Sequence, residues 1–230
     1  MLAERSDRAV RTRRALLHSA ARVFDQNGYT LTTIFDISAG AGVSPGALHF
    51  HFRNKQAVAD AVEEACASLL RGAGRIAYDA NPDALQALTD MSHAFARLLR
   101  WDVVVRAGFR LGTDSTRARR QALDQEWHSC VERLLAEAAR NDELSPDVRL
   151  QEVTCAVVTA TTGIGLQIAD NAEPRAYHAL TGFWNIFLPG LARPEVAKRM
   201  EPAGRSAVLA DAVGISARAR LHLQDDELSL

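Results

Sequence analysis

The sequence predicts an all-α protein, with a small helical module at the N-terminus followed by a larger helical body. Three observations carry that expectation. Apolar residues recur at the three- and four-residue spacing of helices along almost the whole chain. Strand signals are nearly absent, because Val103-Val104-Val105 and Ala156-Val157-Val158 are short and lie inside helical periodicity. Capping residues, prolines and glycines punctuate the chain where helices should start and stop.

The first helix is expected over about residues 7–26, with Leu16, Leu17, Ala20, Ala21 and Phe24 as its buried stripe and Asn27-Gly28 as its stop. Thr33 is placed to cap a short second helix whose apolar positions are Ile34, Ile37 and Ala41. Ser44, with Pro45 at the first helical position, opens a third over about residues 45–51. Gly40 and Gly42 permit the sharp turn between them. Leu48, Phe50 and Phe52 read as core. A long fourth helix begins near Lys55 and runs towards Leu70, and Gly72 and Gly74 loosen its far end. Asn81-Pro82-Asp83 breaks the chain and starts a helix carrying Leu85, Leu88, Met91, Ala94, Phe95, Leu98 and Leu99. A shorter segment over 102–111 precedes a polar loop at 113–116. Two long helices follow, roughly 117–140 and 146–170, separated by Asn141-Asp142-Glu143-Leu144-Ser145. Glu173-Pro174 opens another, stopped by Pro189-Gly190. From Pro194 the patterning weakens, and residues 224–230 are expected to fray.

At 230 residues the chain can hold one large or two modest domains, and the division falls near residue 54: 1–54 and 55–230. Charge divides at the same place. Residues 1–55 carry eight basic and four acidic side chains, a balance of +4, while the remainder carries nineteen and twenty-four, or −5. A basic module on an acidic body suits a protein that touches phosphate with one end. No uninterrupted apolar run approaches the roughly 20 residues of a membrane span, and the charged N-terminus lacks the apolar core of a signal peptide. A cytoplasmic, nucleoid-associated protein without membrane contact is expected. Cys66, Cys130 and Cys155 read as buried free thiols.

Two short capped helices joined by a tight turn form a helix-turn-helix, whose geometry presents one helix to the major groove of double-stranded DNA. Ser44, Gly46, Ala47 and His49 occupy the leading and exposed positions of the third helix, with Pro45 fixing its entry. Small residues let the backbone approach, so reading relies on thymine methyls and DNA shape as much as on bidentate bonds. Thr33 and Lys55, each at a helix N-terminus, are candidate phosphate contacts, flanked by His49 and His51. Arg11, Arg13 and Arg14 suit either a solvated helix face or phosphate contact. His49 and His51 are two residues apart and point to different helix faces, with no ligand set beside them. Neither a metal nor a cofactor is expected. So short a reader needs a two-fold homodimer, with recognition helices about 34 Å apart on a pseudo-palindromic operator.

Phe24-Asp25-Gln26-Asn27-Gly28-Tyr29, Thr32-Thr33, Ala41-Gly42-Val43-Ser44-Pro45-Gly46-Ala47-Leu48, His51-Phe52 and Lys55 together resemble the DNA-binding domain of TetR-family repressors. Within that family, Gly46-Ala47-Leu48-His49-Phe50-His51-Phe52 is similar to the gamma-butyrolactone receptors of actinomycetes. One departure is His49, where the family usually has a phosphate-contacting Tyr. The strength of a histidine's hydrogen bond depends on protonation near neutral pH.

In the body, Trp127, the Thr161-Thr162-Gly163 interruption of an apolar helix, and Phe109 between Gly108 and Gly112 read either as a ligand cavity or as ordinary core. The resemblance favours the cavity. It implies that Trp127 and Thr161 line a pocket, with Leu88, Phe95, Phe109, Val158 and Thr162 as further candidates by helical phase. The implied ligand is a small, largely apolar lactone, butenolide or furan, with Arg106 or His128 placed to receive a carboxylate. Trp184, Phe183, Ile186 and Phe187 offer apolar surface that a dimeric four-helix interface would bury. The resemblance thus implies a ligand-released repressor of secondary metabolism. An enzyme is not expected, because His93, His128, His178 and Asp170 fall in no nucleophile–base spacing and no phosphate loop is present. The alternative is a TetR-like regulator of an efflux or catabolic gene that responds to an unrelated hydrophobic ligand.

Overall fold

A computed structural model describes residues 2–114, 122–169 and 175–214. Every regular element among them is helical, and Leu144 and Ala192 form an isolated antiparallel bridge. The helices are α1 (Leu2–Leu31), α2 (Ile34–Gly40), α3 (Pro45–His51), α4 (Lys55–Asp79), α5 (Ala84–Trp101), α6 (Val103–Thr113), α7 (Ala122–Arg140), α8 (Leu150–Ala169), α9 (Arg175–Leu191) and α10 (Pro194–Ala197), followed by a helical stretch over 206–214. The expected starts at 117 and at Glu173-Pro174, and the fraying end at 224–230, lie outside the described residues.

Contacts divide the chain into two compact units. The described residues of the first are 2–69 and 102–114; those of the second are 70–101, 122–169 and 175–214. The unit holding α1–α3 therefore also contains the first part of α4 and all of α6. Its core joins Leu16, Ala20, Ala21 and Phe24 of α1 to Ile37, Leu48, Phe52, Val58, Val62, Ala107 and Leu111. Asp25 of α1 receives the guanidinium of Arg106 at 2.9 Å, which fastens α6 to α1. Arg106 is thus committed to an ion pair and is not placed to clamp a ligand carboxylate.

Two glycines work by close packing, not by freedom. Gly40 is helical, and a Cβ there would lie 2.5 Å from Ser19 Oγ, the hydroxyl that donates to Ile37 O at 2.8 Å. The turn itself belongs to Gly42, with φ +67°. Gly108, expected to help open a void, does the reverse. A methyl there would collide with Cys66 Cβ and come within 2.9 Å of its Sγ, so the Cys66 side chain of α4 packs directly on the α6 backbone at Gly108. Gly108→Ala should therefore cost about 1–3 kcal/mol by overpacking, read as a lowered denaturation midpoint at unchanged slope.

The second unit is built around α5, of whose 18 residues 14 are buried, so it contacts neighbours on nearly all sides. Its N-terminus is closed from far along the chain. The buried Glu143 accepts from Ala84 N–H and Leu85 N–H, each at 2.9 Å. Glu143 is itself fixed by the end of α7. Asp142 adopts φ 60°, its N–H donates to Ala139 O, and Glu143 N–H donates to Ala138 O, the paired bonds of a Schellman ending with Asp where Gly is usual.

Residues 201–205, in the weakly patterned tail, dock on the polar positions of α5. Gln86 Oε1 accepts from Glu201 N–H, Asp90 accepts from Arg205 N–H, and His93 Nε2–H donates to Pro202 O at 2.9 Å. A carbonyl only accepts, so this bond fixes the His93 tautomer. Burial holds the His93 imidazole below its ordinary value of 6.5. The native state keeps the ring neutral while the unfolded chain takes up a proton, so His93 stabilises fully above that value and progressively less as pH falls below it. His93→Gln should flatten stability between about pH 6.5 and 5 in urea titrations.

Three expectations about exposure change. Phe50 is 82% exposed, whereas Leu48 and Phe52 are core. Phe50→Ser should leave stability within about 0.5 kcal/mol, and Phe52→Ala should cost about 3–5 kcal/mol in the same denaturation assay. Trp184 is fully buried and donates its indole N–H to Ser92 Oγ at 2.9 Å, so it belongs to the core and not to a free apolar face. Cys66 is buried, Cys130 partly so, and Cys155 is exposed on α8. One helical expectation also shifts. Pro189 lies inside α9, which continues to Leu191, because a proline in the last turn forfeits a single bond and Ala192 N–H still reaches Leu188 O. α8 is the most apolar of the long helices, 20 residues with Glu152 its sole charge, but Thr154, Thr159, Thr161, Thr162 and Gln167 interrupt it, so it is not an uninterrupted apolar run.

Candidate DNA-reading face and ligand site

The reader is assembled by local capping. Thr33 and Asp36 form a reciprocal box. Asp36 N–H donates to Thr33 Oγ1 at 3.1 Å, while Thr33 N–H and hydroxyl donate to Asp36 Oδ2 at 3.0 and 2.6 Å. Those bonds hold the Asp36 carboxyl below its usual value. Ser44 Oγ accepts from Ala47 N–H at 3.2 Å and sets the start of α3. Ser44, Pro45, Gly46, His49 and Phe50 are exposed along α3, and Ala47 and His51 are half-buried. Arg13 of α1 lies over the Phe52 ring, 5.1 Å from its centroid.

Two expected phosphate contacts are otherwise engaged. The N–H and hydroxyl of Thr33 already serve a carboxylate. The Lys55 ammonium donates to Tyr29 O and Thr32 O, each at 2.9 Å, and to Thr30 O at 3.4 Å, and sits 4.5 Å from the Tyr29 ring centroid. Gly28, with φ 69°, kinks α1 just before these carbonyls. Lys55 satisfies them, fixing the start of α4 against the end of α1.

In the second unit, Trp127 is where three helices meet. Its indole N–H donates to Thr161 Oγ1 of α8 at 2.8 Å, and Thr161 donates on to Val157 O at 2.7 Å. Phe95 of α5 presents its ring edge-on to the indole, with centroids 5.1 Å apart. Both readings of Thr161 therefore hold at once: it back-bonds within its helix and partners Trp127. Leu88 is fully buried on α5, while Val158 and Thr162 are half-buried on α8 beside Thr161. Phe109 sits on α6, in the first unit. His128 is exposed.

The periodicity did not single out a sulfur pair one turn along. Cys130 Sγ of α7 lies 3.4 Å from Met91 Sδ of α5, and burial pushes the Cys130 thiol up, so it stays neutral. The signal was present as the three-residue step from Trp127, but a lone cysteine in a helical pattern reads as core. The same helix ties to α4. Glu126, next to Trp127, pairs with Arg71 at 3.1 Å, and Tyr78 donates to Glu137 at 3.0 Å.

A capped helix-turn-helix in one unit and a larger helical body in the other are the architecture of a helix-turn-helix DNA-binding regulator. Residues 16–62 match the family of bacterial regulatory proteins of the tetR type, and residues 82–193 match the tetracyclin repressor-like C-terminal domain. The chain is 31% identical to the A-factor receptor protein of Streptomyces griseus over 221 residues, 96% of this chain and 75% of that protein. Among solved structures, a gamma-butyrolactone receptor (ArpA-like protein) superposes with a TM-score of 0.71 at 27% identity, covering 89% of this chain and 97% of that one. CprB of Streptomyces coelicolor, solved in complex with its biological operator sequence, gives 0.67 at 28%, covering 92% and 99%. The chain belongs to the TetR family of transcriptional regulators. It is a repressor that acts as a dimer on operator DNA and answers to a small ligand.

Proposed function

We propose that this repressor is released from a pseudo-palindromic operator by a lactone, butenolide or furan signal, and that it controls secondary metabolism from the cytoplasm, on the nucleoid. Its role is regulatory and not catalytic. Residues 1–54 carry the DNA contacts, and 55–230 carry the ligand site and the dimer face. Ser44, Pro45, Gly46, Ala47, His49 and His51 meet the groove and its phosphates, while Thr33 and Lys55 act chiefly by positioning the helices that do. Trp127 and Thr161 form the polar end of the ligand site, with Phe95, Leu88, Val158 and Thr162 around it.

The observation that carries this reading is the Trp127–Thr161–Val157 relay, in a chain alignable over 96% of its length with an A-factor receptor. A ligand carbonyl can take over the indole N–H while Thr161 keeps its bond to Val157. A ligand hydroxyl can instead donate to the remaining lone pair of Thr161. Neither exchange leaves a polar group unpaired, and neither needs a charge. The alternative, an unrelated hydrophobic ligand, is not favoured, because the likeness runs through the body as well as the reader.

Release follows from α4. Its second half is held to α7 through Arg71–Glu126 and Tyr78–Glu137, and its first residue, Lys55, grips the end of α1. A ligand that displaces Trp127 moves the helix that holds α4. A differential affinity of about 3–5 kcal/mol between the two states shifts operator occupancy strongly. Titrating the protein with a panel of γ-butyrolactones, butenolides and alkylfurans, followed by indole fluorescence, tests the ligand class. Saturable binding of one class is expected. Binding confined to unrelated hydrophobic compounds would favour the alternative.

A further inference from the structure

We propose that Met91 sets the length of alkyl tail that the ligand site accepts, an inference that rests on the lactone reading above. Trp127 and Cys130 share one face of α7, and Phe95 and Met91 share one face of α5. The contacts pair in opposite order: Phe95 with Trp127 at 5.1 Å between centroids, Met91 Sδ with Cys130 Sγ at 3.4 Å. The two helices therefore run antiparallel here, and their side chains form successive rungs about 5–6 Å apart.

The rungs differ in chemistry. The first carries the indole N–H and the Thr161 hydroxyl, the polar atoms that hold a head group. The next is sulfur against sulfur, with the Cys130 thiol kept neutral by burial. One turn further, Leu88 and Leu134 occupy the following positions on the same faces, and both are buried. A tail leaving a head group at Thr161 along these helices meets Met91 first.

Met91 is also the wall most able to yield. Its side chain is unbranched and soft, and it rests on Gly74 of α4, where a Cβ would stand 3.4 Å from both Sδ and Cε. The thioether thus has helix backbone behind it, with no side chain from residue 74 to meet. Shortening residue 91 lengthens the accommodation, and filling position 74 shortens it.

The test is calorimetric titration of the full chain with 2-alkanoyl-γ-butyrolactones whose tails grow one methylene at a time. Affinity is expected to rise about fourfold per methylene to an optimum and then fall. Met91→Ala should move that optimum to a tail at least one methylene longer, and Gly74→Ala to a shorter one. Met91→Leu, close in volume, should keep the wild-type optimum and serves if the alanine variant fails to fold. A wild-type optimum unmoved by both Met91→Ala and Gly74→Ala, or moved by Met91→Leu as far as by alanine, overturns the inference alone. No binding by any member to the wild type overturns the lactone reading and this inference with it.

Discussion

Replacing Trp127 with alanine is expected to abolish ligand-induced release while leaving operator binding within about twofold of the wild type. The indole contributes two things at once: the edge-on contact with Phe95 and the hydrogen bond to Thr161. Truncating a central aromatic anchor costs about 2–4 kcal/mol of binding, so ligand affinity should fall roughly 30- to 1,000-fold. The reader is untouched, because α1–α3 pack in a unit that does not contain residue 127. Thr161→Val separates the contributions. It removes the acceptor for the indole N–H at nearly constant volume and should weaken a ligand hydroxyl contact more than a ligand carbonyl contact. A Trp127→Ala protein that releases its operator at the wild-type ligand concentration would remove Trp127 from the mechanism.

The largest stability effect is expected at Glu143. Its carboxylate accepts two backbone N–H groups at the start of α5, and both its oxygens are withdrawn from water. An alanine there leaves Ala84 and Leu85 N–H groups buried without acceptors and removes a negative charge from the positive end of the helix dipole. The combined loss is about 3–5 kcal/mol, or roughly 6–20 °C in melting temperature for a chain of this size. Glu143→Gln keeps one acceptor and turns an amide donor towards the other N–H, so it should lie between wild type and alanine. Calorimetric scans of the three proteins decide the matter, and a melting temperature for Glu143→Ala within 2 °C of wild type would contradict the capping account.

Local rules made the helix-turn-helix legible in the sequence. Thr33 with Asp36, Ser44 with Pro45, and the left-handed Gly42 each act within four residues, and each adopts the geometry its type favours. What escaped the sequence acts over distance. Glu143 caps a helix that begins 59 residues earlier, and residues 201–205 satisfy the polar positions of α5 across more than a hundred. No periodicity encodes such partners. Residue type also misled where two roles share one side chain. Phe50, an aromatic between two histidines, faces outward, because Leu48 and Phe52 already occupy the inward positions. Gly108 looked like missing volume, but its space is filled by the Cys66 side chain of α4. Lys55 looked like a phosphate contact, and it instead donates to three carbonyls at the end of α1 and just beyond it. At the ligand site, Trp127 and Thr161 were expected together and are bonded to each other, whereas the adjoining sulfur pair required the fold to bring α5 and α7 side by side.

The most direct measurement of the central claim is a gel shift on the DNA upstream of the protein's own coding sequence, with and without a γ-butyrolactone that the protein binds. A complex containing two protomers per pseudo-palindromic site, dissolved by the lactone in the wild type and persisting in Trp127→Ala, is the predicted result. A complex that forms on this or a selected palindromic DNA but is indifferent to every bound lactone would contradict it.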